Sequence, residues 1–149
     1  DGGLSSITAK SLGCITTGGT TPINAVIEYA ARPSKRGLVV MDTPGYDIES
    51  MAGLAAAGTQ LILFTTGRGS IAGFPCVPVV KIATNSRTFL DMPGDIDVNA
   101  GSIIDNGKTI AEVGQEIFSL AIEVANGKRT CAEINRSAPF NCLKQGPTF

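Results

Sequence analysis

Three short, mostly apolar runs, each closing on a polar turn, limit what this chain can fold into. Leu38-Val39-Val40-Met41 leads into Asp42-Thr43-Pro44-Gly45, and Leu61-Ile62-Leu63-Phe64 into Thr65-Thr66-Gly67-Arg68-Gly69-Ser70. Val79-Val80-Lys81-Ile82-Ala83 leads into Thr84-Asn85. Apolar runs without alternation predict strands buried on both faces, as in a parallel sheet covered by helices. The intervals between the runs are long enough for crossovers. The expectation is therefore an α/β fold: a three-layer, Rossmann-like domain with a short, mostly parallel sheet built from 38–41, 61–64 and 79–83.

Helix signals fill the gaps. Thr21 before Pro22 places an N-cap ahead of a first-turn proline, and Ile23, Val26, Ile27 and Ala30 follow at helical spacing, predicting a helix near 22–31 that stops at Pro33. A second helix is expected from Asp47, with Ile48, Met51, Leu54 and Ala55 on one face and Gly58 as its terminator. Thr109 with Glu112 spells a capping box, and Ile110, Val113, Ile117, Leu120, Ala121 and Val124 carry an apolar stripe to Asn126-Gly127. Thr130 and Glu133 repeat the signature for a short final helix. Residues 1–21 are expected to form a Gly/Ser/Thr-rich N-terminal segment in which 16–21 is a loop, either a flexible linker or a ligand-facing strap, 22–136 the α/β domain, and 137–149, with Pro139, Gly146 and Pro147, an extended tail.

A chain of 149 residues, 43% hydrophobic and 17% charged, is one domain's worth with enough apolar side chains for a core. Its formal net charge of −1 builds no field for nucleic acid or an anionic membrane, and 5% aromatic residues leave little for base stacking. No apolar run approaches the roughly 20 residues of a membrane span, and no basic segment followed by an apolar core marks a signal peptide. Cys14, Cys76, Cys131 and Cys142 form no CxxC pair, and with no histidine in the chain a zinc site has no imidazole to complete it. Scattered thiols fit a cytoplasmic protein. An opening of Asp1-Gly2-Gly3 without an initiator methionine predicts a fragment or processed form of something longer.

The turns after the runs hold the candidate chemistry, because open α/β sheets take ligands where strands end and exposed amides meet anions. Thr65, Thr66, Gly67, Arg68 and Gly69 combine hydroxyls, open backbone and a guanidinium that can grip a carboxylate with two donors. The alternative for Arg68 is an ion pair with an acidic partner across an interface. The loop lacks the GxxxxGK[ST] spacing of a nucleotide loop and no GxGxxG follows a strand. Asp42, beside Thr43, either binds a metal, orients a substrate hydroxyl or caps its turn. Lys81 inside an apolar run is costly unless paired or held at a wet site, where a depressed pKa would make it a base. Asn85 emerges beside it. Asp95, Asp97 and Asn99 would share one face of an extended segment, either as oxygen donors for a hard cation or as a solvated edge. Cys14 alone, without nearby partners, is expected to be a small apolar filler.

In order and spacing, GLVVMDTPGYD, LFTTGRGS, VKIATNS and DIDVNAG resemble the C-terminal half of the altronate/galactarate dehydratase family, with the likeness running from Gly2-Gly3-Leu4 to about Asn126-Gly127. The resemblance implies a sugar-acid hydro-lyase that needs a divalent metal, iron(II) or manganese(II), and a related branch that splits sulfite from sulfolactate. It implies catalytic roles for Asp42, Lys81 and Asp97, and substrate contacts from Thr43, Thr65, Thr66, Gly67, Arg68, Gly69, Asn85 and Asn99, with the metal ligands unassigned. The partners it implies are a small anionic sugar acid and upstream domains or a partner subunit, with a homo-oligomer open. The stretch from Phe140 to Phe149 looks more like the altronate branch. The competing reading is a carboxylate-binding or assembly module without catalysis of its own.

Overall fold

The computed structural model describes residues 6–141 and is an α/β fold with two short, all-parallel sheets. It opens on helix α1 (Ile7–Thr17), which takes in the first two residues of the stretch 16–21 expected to be a loop and leaves the rest outside any helix or strand.

The segment expected to be a helix near 22–31 is instead strand β1 (Ile23–Ile27), which pairs in parallel with β2 (Leu38–Met41) from Ile23 opposite Leu38 to Ile27 opposite Met41. Ile23, Val26 and Ile27 are β-branched, stiff at χ1 and well suited to a pleated surface, and the partner strand decided between two readings the spacing allowed. Asp42 prolongs the pairing by donating its backbone N–H to the Ile27 carbonyl at 2.9 Å.

Helix α2 (Asp47–Ala56) begins with Asp47 and Glu49, whose charges favour a helix N-terminus, and stops before Gly58 at φ +98°, a conformation that favours glycine. The second sheet follows as β3 (Ile62–Thr66), β4 (Val79–Ala83) and β5 (Val98–Asn99), in that order across the sheet with β4 central. Phe64 lies opposite Lys81, Thr66 opposite Ala83, and Ile82 opposite Val98. The run 38–41 is thus a strand as expected, but it belongs to the other sheet, with β1 as its neighbour.

All five residues of β4 are buried, and its side chains part by period two. Val79 joins Met51, Ile62, Ala72, Phe74 and Val77 against α2. Val80 and Ile82 join Val98 and Val124, with Ile117 and Leu120 packed alongside. Val79 and Val80 are 1% and 0% exposed, and full burial of such a side chain stabilises by about 1.5–3 kcal/mol.

Helix α3 (Ser86–Asp91) makes the crossover from β4 to β5, while residues 67–78 cross from β3 to β4 without a helix. Helices α4 (Ser102–Asp105), α5 (Ile110–Ala125) and α6 (Cys131–Ile134) complete the described chain. Both capping boxes form as the sequence predicts: Thr109 N–H donates to Glu112 at 2.7 Å and Thr130 N–H to Glu133 at 2.9 Å, while each threonine hydroxyl accepts from the glutamate's own N–H. Beyond α6 the chain returns to α2. Phe140 lies against Phe74 with ring centroids 5.8 Å apart, and Asn141 donates to Glu49 at 2.7 Å. Residues 142–149, including Cys142, lie outside the described residues. Among the described residues no helix is long and apolar enough to cross a membrane.

Candidate functional site

The second and third turns meet at the C-terminal ends of β3 and β4. Thr84 donates its N–H to the Thr66 carbonyl at 3.0 Å, and two side chains converge on the Gly67 carbonyl: the Asn85 amide at 2.7 Å and the Thr88 hydroxyl at 2.8 Å. The other end of the Asn85 amide accepts from Thr88 N–H at 2.8 Å and so caps α3. Within the loop, the Thr66 hydroxyl accepts from Gly69 N–H at 3.0 Å, closing a turn in which Gly69 sits at φ +91°. Arg68 is presented at the tip of this braced turn, exposed, without a hydrogen bond or ion pair to another described residue. Thr65 is likewise exposed.

The first turn joins less directly. Asp42 is exposed, and no hydrogen bond or ion pair links it to Arg68 or Asn85. The Thr43 hydroxyl lies 3.2 Å from that of Ser50 on α2, and the Ser70 hydroxyl donates to Asp47 at 3.3 Å, so the start of α2 bridges the first two turns. Between them opens a cavity of about 450 Å³ lined by Gly45–Glu49, Ser70–Ala72 and Pro139. It takes no residue from the third turn, and Arg68 stands outside its lining. The three turns therefore converge in pairs through the Arg68 loop.

Lys81 is 0% exposed on the central strand, and its Nζ has no hydrogen-bond partner. Burial pushes its pKa below the ordinary 10.5, a shift that the negative charges of Asp95 and Asp97, and then Cys131, only partly oppose. Asp97 lies at the heart of this cluster. Its two oxygens accept from the N–H of Lys81 at 2.7 Å and of Cys131 at 2.8 Å, while its own N–H donates to the Lys81 carbonyl at 2.9 Å. One carboxylate thus fastens β4 to the segment entering β5 and to the start of α6. Burial, followed by the charge of Asp97 and its hydrogen bond to the thiol, pushes Cys131 up from 9.0 to about 11. Asp95 accepts from the Asn135 amide at 3.0 Å.

Asn99 exchanges hydrogen bonds with the Ser86 hydroxyl at 3.0 and 3.3 Å, tying β5 to the start of α3. Asp97 and Asn99 thus serve the framework around the loops, and their polar atoms are engaged. Sequence reasoning missed Thr88 and Ser86, which hold Gly67 and Asn99. The spacing of Asn85 and Thr88 was the available signal, since an Asx residue followed three positions later by its amide donor is the geometry of a cap. No three His, Cys, Asp or Glu side chains among the described residues form a group that could hold a metal ion. Cys76 and Cys131 are free thiols, and the side chain of Cys14 lies outside the described residues.

Comparison with known proteins meets this geometry from the other side. The family model described as D-galactarate/Altronate dehydratase, C-terminal, matches residues 1–148. The altronate dehydratases of Escherichia coli (strain K12) and Bacillus subtilis (strain 168) are each 38% identical over 99% of this chain, which covers 30% of either relative. The galactarate dehydratase (L-threo-forming) of Escherichia coli (strain K12) is 38% identical over 86% of the chain, covering 24% of that protein. The chain thus spans between a quarter and a third of the length of these relatives. A match that runs almost from end to end, through every turn described above, shows that this chain belongs to the D-galactarate/altronate dehydratase family, in its C-terminal region.

Proposed function

We propose that this chain is the C-terminal domain of a cytoplasmic, metal-dependent sugar-acid dehydratase of the altronate type. The reaction removes water: a proton leaves the carbon beside the carboxylate, the neighbouring hydroxyl departs, and the enol becomes a 2-keto-3-deoxy acid. The observation that carries this reading is Arg68, an unpaired guanidinium on a braced turn at the end of a parallel sheet, where a carboxylate is best received. The altronate relatives match 99% of the chain and the galactarate relative 86%, which favours the altronate substrate.

In this proposal Arg68 clamps the substrate carboxylate, Thr65, Thr66 and the Gly67 amide contact its hydroxyls, and Gly69, whose N–H donates to the Thr66 hydroxyl, closes the turn. Asn85 and Asn99 hold these loops from behind, with Thr43 ordering the neighbouring turn. Asp42, exposed at the first turn, handles a proton. Lys81, enclosed beneath the surface, acts as an electrostatic partner to the developing negative charge, and Asp97 keeps its strand in register. The divalent ion the family implies, iron(II) or manganese(II), finds no fitting donor set among the described residues, where both Asp97 oxygens already accept backbone N–H groups. That ion would be held by the remainder of a longer polypeptide.

Calorimetric titration with altronate, galactarate and sulfolactate, each with and without manganese(II), tests the reading. Altronate should bind, and Arg68→Ala should weaken it about ten-fold or more, the loss expected for a charge-assisted pair. Unchanged binding in that variant would remove Arg68 from its role.

A further inference from the structure

At the other end of the second sheet, where β4 begins, two more guanidiniums face one cavity. It measures about 480 Å³ and is lined by Phe74, Val77 and Val79 from the strand side and by Arg129, Glu133 and Arg136 around α6. Neither guanidinium has a hydrogen bond or ion pair to another described residue. Three other cations are paired: Arg87 with Asp91, Lys108 with Glu116, and Lys128, the neighbour of Arg129, with Glu123.

One oxygen of the carboxylate in the lining is already occupied. Glu133 accepts from Thr130 N–H at 2.9 Å and from its hydroxyl at 3.2 Å, and Thr130 is 1% exposed, so this capping box is held inside the fold. Arg136 adopts φ +53°, a left-handed conformation that glycine or asparagine takes more readily than arginine. The turn is nevertheless fixed by Ser137 N–H donating to the Ala132 carbonyl at 2.9 Å and by the Ser137 hydroxyl donating to the Ile71 carbonyl. An arginine kept where a glycine would be less strained, beside a second unpaired arginine and above an apolar wall, is a feature calling for a ligand.

We propose that this cavity binds a small organic oxyanion, with a carboxylate or phosphate headgroup held by Arg129 and Arg136 and an apolar portion lying on the Pro75 and Ala138 side of its lining. Two planar forks can each present paired N–H donors to an oxyanion, and the apolar wall excludes water from one side of the contact. The site lies at the opposite end of β4 from the Arg68 loop, so its occupancy is independent of the sugar-acid reading.

Inorganic phosphate and benzoate are the probes, with binding followed by calorimetry on the wild-type protein and on Arg129→Ala, Arg136→Gly and Arg68→Ala. One saturable site is expected for at least one probe, weakened about ten-fold or more in each of the first two variants and unchanged in the third. Arg136→Gly suits its backbone, so its melting temperature should not fall, and loss of binding there is not loss of fold. Phosphate binding alone would assign a phosphate headgroup, and benzoate binding a carboxylate resting on the apolar wall. Absence of saturable binding by both probes, binding indifferent to Arg129 and Arg136, or binding abolished by Arg68→Ala would each overturn the proposal.

Discussion

A buried ammonium without a partner is a standing cost to the fold, and Lys81 is one on the most enclosed strand of the molecule. Lys81→Met keeps the stem and discards the charge. It should stabilise the protein by about 1–3 kcal/mol, seen as a raised melting temperature. The titration of this cluster has a definite sign. Between the lowered folded pKa of Lys81 and 10.5 the unfolded chain binds the proton that the folded one lacks, so stability rises with pH across that window. For Cys131 the order is reversed: between 9.0 and about 11 the folded thiol keeps its proton while the unfolded one loses it, so stability falls. Urea unfolding at pH 8 and pH 10.5 should therefore show Cys131→Ala losing less stability, or gaining more, than wild type over that interval. The burial of residue 81 was legible in the apolar run around it. Its missing partner was not, because Asp95 and Asp97 come from a segment whose place beside β4 depends on the crossover through α3.

At the scale of elements, reciprocal signals survived the step from sequence to structure and one-sided patterns did not. The Thr109 and Glu112 pair fixes the start of α5 whatever surrounds it, because each residue satisfies the other's backbone. Thr109→Ala should cost about 1 kcal/mol, read from chemical unfolding. Thr21-Pro22 with apolar residues at helical spacing had no such reciprocity, and β2 drew the segment into a strand. Pairing between distant runs has no local trace, which is why 38–41 was assigned to the wrong sheet although its strand character was plain. The junction of β5 and α3 is the element-scale feature on which the loop framework leans. A Cβ on Gly101 would lie 2.2 Å from the Ser86 nitrogen and 2.4 Å from the Asn85 carbonyl carbon, backbone atoms that cannot rotate away. Gly101→Ala should destabilise by about 3 kcal/mol and displace Asn85 from Gly67, so circular dichroism melts would fall together with faster amide exchange at Thr88.

The whole molecule is two parallel sheets whose connection runs through α2 and through the chain that returns to it. Three contacts beyond α6 draw sequence-distant parts together: Ser137 with Ile71, Phe140 with Phe74, and Asn141 with Glu49 across 92 positions. The proline-bearing sequence after α6 announced an extended course but not a destination, since packing of this kind depends on a surface assembled from α2 and the β3–β4 crossover. Phe140 remains 63% exposed, so its ring adds an aromatic contact more than a buried area. Such pairs contribute about 0.5–1.5 kcal/mol, and a side-chain hydrogen bond contributes about 1 kcal/mol. Replacing both Phe140 and Asn141 by alanine should therefore cost about 2 kcal/mol and lower the melting temperature by roughly 4–8 °C for a domain near this size. Because Glu49 and Pro139 also line the cavity between the first two turns, the same double variant should loosen that cavity while leaving the hydrogen bonds of Asn85 and Thr88 to Gly67 intact. Amide exchange separates the outcomes: faster exchange over 45–50 with unchanged protection at Thr84 and Thr88 would show that the returning chain closes the α2 side alone, whereas uniform loss would mean that both sheets depend on it.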